Sequence, residues 1–173
     1  MLSSQATFFH ELYLPLLGKP IRTVAWLPIA CDTSGVVGVR DAAHLTFSGG
    51  SLVVAEDGAQ VFLTWKQAGD RFALTGSEAE TGWISDALDR VQIGSDGPWN
   101  AVRGAVLSGA HFYAEADDPL ARVVGVRHVL QSENSDNFVW IGCGGDGFIA
   151  ESDDLWVSIG IEPANLANLV VRE

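Results

Sequence analysis

The sequence predicts a mainly β protein of antiparallel strands, and three observations predict it. Its apolar runs are short, about four to eight residues, and rich in Val, Ile, Thr and aromatic side chains, which fit a pleated surface. Glycine, 19 of 173 residues, interrupts these runs often enough for tight hairpins and bulges. Strand-like runs do not alternate with helix-length ones, as parallel βαβ units require.

A recurrence suggests how the strands are grouped. The pentapeptide VVGVR occurs at Val36–Arg40 and again at Val123–Arg127. Each copy is followed by a Gly-Gly step, Gly49-Gly50 and Gly144-Gly145, and then by an apolar run closing on Ala-Glu, Ala55-Glu56 and Ala150-Glu151. The polar stretch QSENSDN accounts for the longer spacing in the second copy. The expectation is an internal duplication with halves of about residues 21–75 and 101–161. These would form a sandwich or one strongly curved sheet, within a single domain spanning residues 1–173.

From the N-terminus, Ser3 or Ser4 caps a short helix in which Phe8, Phe9, Leu12, Tyr13 and Leu16 recur at helical spacing. Pro15 ends it, because proline has no N–H and clashes with the preceding turn. The helix is expected to lie as a lid on the sheet. Strands are expected at Ile21–Leu27, Gly35–Arg40, His44–Phe47, Leu52–Ala55 and Gln60–Trp65. Gly49-Gly50 serves as one turn, and Asp57-Gly58 as a type I′ hairpin turn. Ala68-Gly69-Asp70 turns into Arg71–Thr75. Trp83–Leu88 reads as a helical turn or an irregular crossing, Val91–Ile93 as a strand, and Ser95–Pro98 as the join between halves. Ala101–Ala114 reads as a long strand with breaks at Gly104 or Gly109. Strands follow at Val123–Arg127, Phe138–Cys143, Gly147–Glu151 and Leu155–Ile161, and Pro163–Leu169 is expected to form a short helix.

Composition narrows the function. The chain has 22 acidic and 10 basic side chains, a net charge of −12, which repels nucleic acid and anionic membrane and favours a basic partner. No segment reaches the ~18 apolar residues of a membrane span. The N-terminal stretch lacks a basic region ahead of its apolar part, so it does not read as a signal peptide. Two cysteines, Cys31 and Cys143, are too few for a disulfide scaffold and are expected to be reduced, buried thiols of a cytoplasmic protein.

Motifs for catalysis or cofactors are weak. Gly142–Gly147 fits G-x-G-x-x-G, but the residues after it read as a strand rather than the helix a dinucleotide needs, so no cofactor is expected. There is no G-x-S-x-G elbow, H-E-x-x-H pair or Walker loop. His10, His44, His111 and His128 lack metal-ligand spacing, so no metal is expected; His111 reads as a core histidine. Ser132–Asn137 falls short of a calcium loop.

Two acidic clusters remain: Glu115, Asp117 and Asp118, and Glu151, Asp153 and Asp154. In Leu155–Ile159, Trp156 and Ser158 share the face opposite Leu155, Val157 and Ile159. With the latter face in the core, Trp156 is expected to be partly exposed beside the second cluster, as an anchor for a basic partner. Of six tryptophans, most are expected in the core. The reading is a non-enzymatic acidic binding protein of the bacterial immunity or antitoxin type, which neutralises a basic toxin by direct contact. Two alternatives stand beside it: a β protein holding a small ligand between its halves, and an enzyme with a dispersed site around His111 or His128. Self-association is left open.

Overall fold

A computed structural model describes residues 4–28, 44–68, 71–76, 91–93, 100–143 and 155–172. It is mainly β: two antiparallel sheets and one short N-terminal helix. The helix α1 spans Ser4–Tyr13 and gives way to turns before Pro15. The strands are β1 (Ile21–Pro28), β2 (His44–Ala55), β3 (Gln60–Ala68), β4 (Arg71–Gly76) and β5 (Val91–Ile93), then β6 (Val106–Glu115), β7 (Val123–Gln131), β8 (Asp136–Cys143), β9 (Leu155–Ile159) and β10 (Leu169–Arg172).

One sheet is the meander β6-β7-β8-β9, extended at its edge by the short β10. The other runs β5-β1-β2-β3-β4. The long strand β2 belongs to both. Its first half pairs with β9, His44 opposite Ser158 and Ser48 opposite Leu155. Its second half pairs along the same edge with β3, Gly50 opposite Thr64 through Val54 opposite Gln60, while β1 lines the other edge.

The two sheets therefore fork at Gly49-Gly50. The pair lies inside a strand, which corrects the expectation of a turn there. A Cβ on Gly50 would stand 2.7 Å from the Phe62 ring and 3.2 Å from the Leu63 carbonyl oxygen, so glycine serves close approach of the backbones here. At the opposite margin the sheets are stitched again. Gly18 N–H donates to Leu107 O (2.8 Å), Leu107 N–H to Lys19 O (3.0 Å), Ile21 N–H to Ala105 O (2.8 Å) and Gly104 N–H to Ile21 O (2.8 Å). Hydrogen bonding thus runs in a circuit through β1, β2, β9, β8, β7 and β6 and back to β1.

The hairpin at Asp57-Gly58 is observed, but its turn differs from the type expected. Gly58 N–H bonds Ala55 O, Ala55 N–H bonds Ala59 O, and Gly58 has a φ of 93° while Asp57 has no positive φ. This is a three-residue loop, a type I turn closed by a left-handed glycine. Asp57 selects it: its carboxylate accepts the Ala59 N–H at 3.0 Å and the Lys19 ammonium at 2.5 Å.

The strand expected at Ala101–Ala114 begins only at Val106. Gly104, at a φ of 81°, ends a preceding helical turn, and a register shift falls between Leu107 and Gly109. The expected C-terminal helix is a 3-10 turn, Leu166–Asn168, followed by β10.

The core lies between the sheets. Val24, Val53, Val61, Leu63 and Leu74 meet Leu107, Phe112, Val126, Ile141, Leu155 and Val157 there. Helix α1 is part of this core rather than a lid over it. Phe9, Tyr13 and Leu16 are at most 1 % exposed, and Phe9 and Tyr13 both pack on Phe112. Each such side chain contributes about 1.5–3 kcal/mol through removal from water. Gln5 ties the start of the helix to both sheets, donating to Leu74 O of β4 and accepting the Val123 N–H of β7.

Several expectations lie outside the described residues: the first VVGVR copy, Trp83–Leu88, Ser95–Pro98, Gly144–Gly147 and Cys31. The second VVGVR copy opens β7. Cys143 is a buried free thiol at the end of β8, and burial pushes its pKa up.

Candidate functional site

The two acidic clusters and Trp156 separate in space according to what each residue is bonded to. Glu115 ends β6, and the chain then turns through residues 116–122 into β7. The Glu115 carboxylate accepts from Arg71 of β4 at 2.9 Å, an ion pair that links the two sheets. Asp117 stands 3.9 Å from the same guanidinium, with its side chain 81 % exposed.

Asp118 points inward, its side chain only 3 % exposed. Its carboxylate accepts the backbone N–H groups of Leu120 (3.1 Å) and Arg122 (3.0 Å), and the Arg122 guanidinium through Nε (2.9 Å) and Nη2 (3.1 Å). These bonds hold its pKa down at about 2, the Arg122 side chain contributing most. Asp118 therefore organises the turn. It also braces Ala121, whose φ of 49° is left-handed for a residue with a Cβ.

Glu115 and Asp117 line a cleft of about 550 Å³, with Ala116, Asn165, Ala167 and Asn168 completing it. The two walls are bonded together, Ala116 N–H to Asn168 O at 3.0 Å. The cleft thus offers one exposed carboxylate, one carboxylate shared with Arg71, and two side-chain amides. Asn165 and Asn168 escaped the sequence reading because they lie in a segment expected to be helical. Their position beside Glu115 depends on β10 pairing with β6, which no local pattern announces.

Glu151, Asp153 and Asp154 lie outside the described residues. The alternation read in Leu155–Ile159 is observed, and Leu155, Val157 and Ile159 join the main core. Trp156 nevertheless is not exposed, a correction to the expectation: it is 2 % exposed, in a second apolar cluster with Tyr113, Val124, Trp140 and Leu169. The cause is the chain beyond β9. It turns at Gly160, whose N–H bonds Phe138 O, and returns across β8 and β7 to place β10 beside β6. Leu166 and Leu169 come down on the outer face with it. Gly125 and Gly142, opposite each other in the ladder between Tyr113 and Trp156, leave room for the large rings. Arg127 covers the same face, its guanidinium carbon 5.1 Å from the Phe138 ring centre and 5.7 Å from that of Trp140.

The core histidine is His128 rather than His111, which is half-buried. His128 Nδ1 donates to Val139 O at 2.9 Å, so Nε2 accepts from the Tyr13 hydroxyl at 2.6 Å. Burial lowers the His128 pKa to about 4 and raises that of Tyr13 well above its ordinary value. Both ring nitrogens are thereby engaged inside the core, and the pair fastens α1 to β7.

Set against protein-family models, curated proteins and solved structures, the chain gives no match.

Proposed function

We propose that this is a non-enzymatic, acidic binding protein that neutralises a basic protein partner by direct contact, in the manner of a bacterial immunity or antitoxin protein. The observation that carries the reading is the acidic cleft at the end of β6. There Glu115 and the exposed Asp117 converge with Asn165 and Asn168, in a chain of net charge −12. A lysine or arginine entering it meets carboxylates and amide oxygens, and the wider negative field attracts such a partner from a distance. The interior supports a surface mode of action, since Phe9 and Tyr13 of α1, with Leu16 of the turn after it, join the core between the sheets. Glu151, Asp153 and Asp154 are retained as a second part of the contact, while Asp118 and Trp156 are assigned to folding. We take the compartment to be the cytoplasm, a reading supported by the free thiol of Cys143.

We also propose that the halves, about residues 21–75 and 101–161, arose by duplication. The support is that, among the described residues, each contributes four strands paired antiparallel in chain order, β1 to β4 and β6 to β9.

The test of function is capture of the partner from the native host, followed by measurement of affinity at low and high salt. Asp117→Lys is expected to weaken binding by about tenfold or more at low salt. Glu133→Lys, a charge change on an exposed loop away from the cleft, is expected to do much less. Equal effects of the two substitutions would remove the cleft from the interface. A partner held by neither the cleft nor the Asp153–Asp154 pair would end the reading.

A further inference from the structure

The β6–β7 turn borders a second concavity at its other end, of opposite character to the acidic cleft. It also measures about 550 Å³, within the range of small-molecule sites. Phe9 of α1 and Leu74 of β4 lie beneath it, both fully buried, so the apolar surface it offers is that of its rim. Its rim carries Phe8 of the helix, 44 % exposed, and Leu120 of the turn, 68 % exposed. These are two of the five large apolar side chains exposed among the described residues. Both face one hollow, so an apolar ligand there would remove their surface from water together.

The charge lining this cleft runs against that of the whole chain. Acidic residues outnumber basic ones 22 to 10, yet among the described residues the lining holds two cations, Lys66 and Arg122, and no carboxylate. Arg122 is committed to Asp118. Lys66 is exposed on β3 and has no ion-pair partner among the described residues. Gln5 cannot turn toward a ligand without giving up its bonds to Leu74 and Val123. The hollow therefore presents an apolar rim and, among the described residues, one positive charge outside an ion pair.

We propose that this cleft binds an amphiphilic carboxylate, its apolar chain laid between Phe8 and Leu120 over Phe9 and Leu74, and its carboxylate paired with Lys66. The long-range field of the protein disfavours anions, so such a ligand binds through apolar contact, with Lys66 deciding the sign of the headgroup.

The test is titration of the full chain with decanoate and, separately, with decyltrimethylammonium, both below their micellar concentrations. Binding is followed by calorimetry and by amide chemical shifts. Saturable binding of decanoate is expected, with shifts centred on residues 5–9, 66, 74–75 and 120–122. The cationic amphiphile is expected to bind about fivefold more weakly. Lys66→Glu is expected to reverse that preference, and Leu120→Asp to weaken decanoate by about tenfold. Both substitutions are at exposed positions, and circular dichroism verifies their folding. Equal affinity for the two headgroups, shifts centred elsewhere, or decanoate affinity unchanged in both variants would overturn the proposal, as would the absence of saturable binding.

Discussion

His128 and Asp118 are two described residues whose ionisation in the acid range is linked to the fold. His128 is held neutral in the core, with a pKa of about 4 against an ordinary 6.5. Between those values the unfolded chain binds a proton that the folded chain does not. The stabilisation is therefore fully present above about pH 6.5 and is lost as the pH falls toward 4. The difference amounts to roughly 3 kcal/mol at most. Urea unfolding at pH 7.5 and pH 4.5 is expected to show a loss of roughly 2–3 kcal/mol in the parent beyond the loss seen in His128→Gln, which has no imidazole to protonate. Asp118 has a lowered pKa, so its contribution is present above its ordinary value of 3.8 and declines toward pH 2. Asp118→Asn keeps the shape but removes the charge facing a guanidinium whose side chain is 19 % exposed. It is expected to cost about 1–3 kcal/mol, measured by the same unfolding at neutral pH. A loss below 0.5 kcal/mol, roughly that of a surface change, would mean that the turn is held by its backbone alone.

At the level of elements, two features carry the architecture: the fork in β2 and the packing of α1. Gly50 sits where β3 takes over from β9, and a methyl group there presses on the Leu63 carbonyl oxygen, which cannot swing aside as a side chain can. Gly50→Ala is expected to lower stability by about 1–3 kcal/mol. Gly76 is a second close approach, a Cβ there meeting the Leu12 side chain and lying 3.2 Å from Phe62 O. Helix α1 is short, and an isolated helix of its ten residues would be marginal in water, so packing of Phe9 and Tyr13 must hold it. Phe9→Ala is expected to cost about 3–5 kcal/mol. Hydrogen exchange distinguishes a core helix from a lid. Amides of α1 are expected to open with those of β6 and β7 rather than independently at lower free energy.

On the scale of the whole molecule, charge dominates. A net charge of −12 on 173 residues repels itself in the compact state, and salt screens that repulsion. Raising sodium chloride from low to moderate concentration is therefore expected to raise the melting temperature of the free protein. The same salt is expected to weaken capture of a basic partner. Opposite salt responses of folding and binding, measured on one preparation, follow from one charge distribution. A melting temperature that falls with salt would mean that attractive pairs such as Arg71–Glu115 outweigh the net repulsion.

The sequence by itself determined the β class, the N-terminal helix with its end before Pro15, and most strand positions among the described residues. These depend on local preferences: β-branched runs, proline without an N–H, and aspartate-glycine at a hairpin. It also determined the inward face of β9, because alternation along a strand needs no knowledge of neighbours. The tertiary structure alone decided what lay on the other face. Trp156 is buried because residues 160–169 return over it, and a strand pattern cannot say whether its second face is covered. The same holds for Gly49-Gly50, where the steric needs of a turn and of a close strand approach select the same residue. It holds again for Asp117 and Asp118, adjacent in sequence, of which one faces water and the other is bonded to Arg122. Charge is written in the sequence, but exposure is set by partners that arrive from elsewhere in the chain.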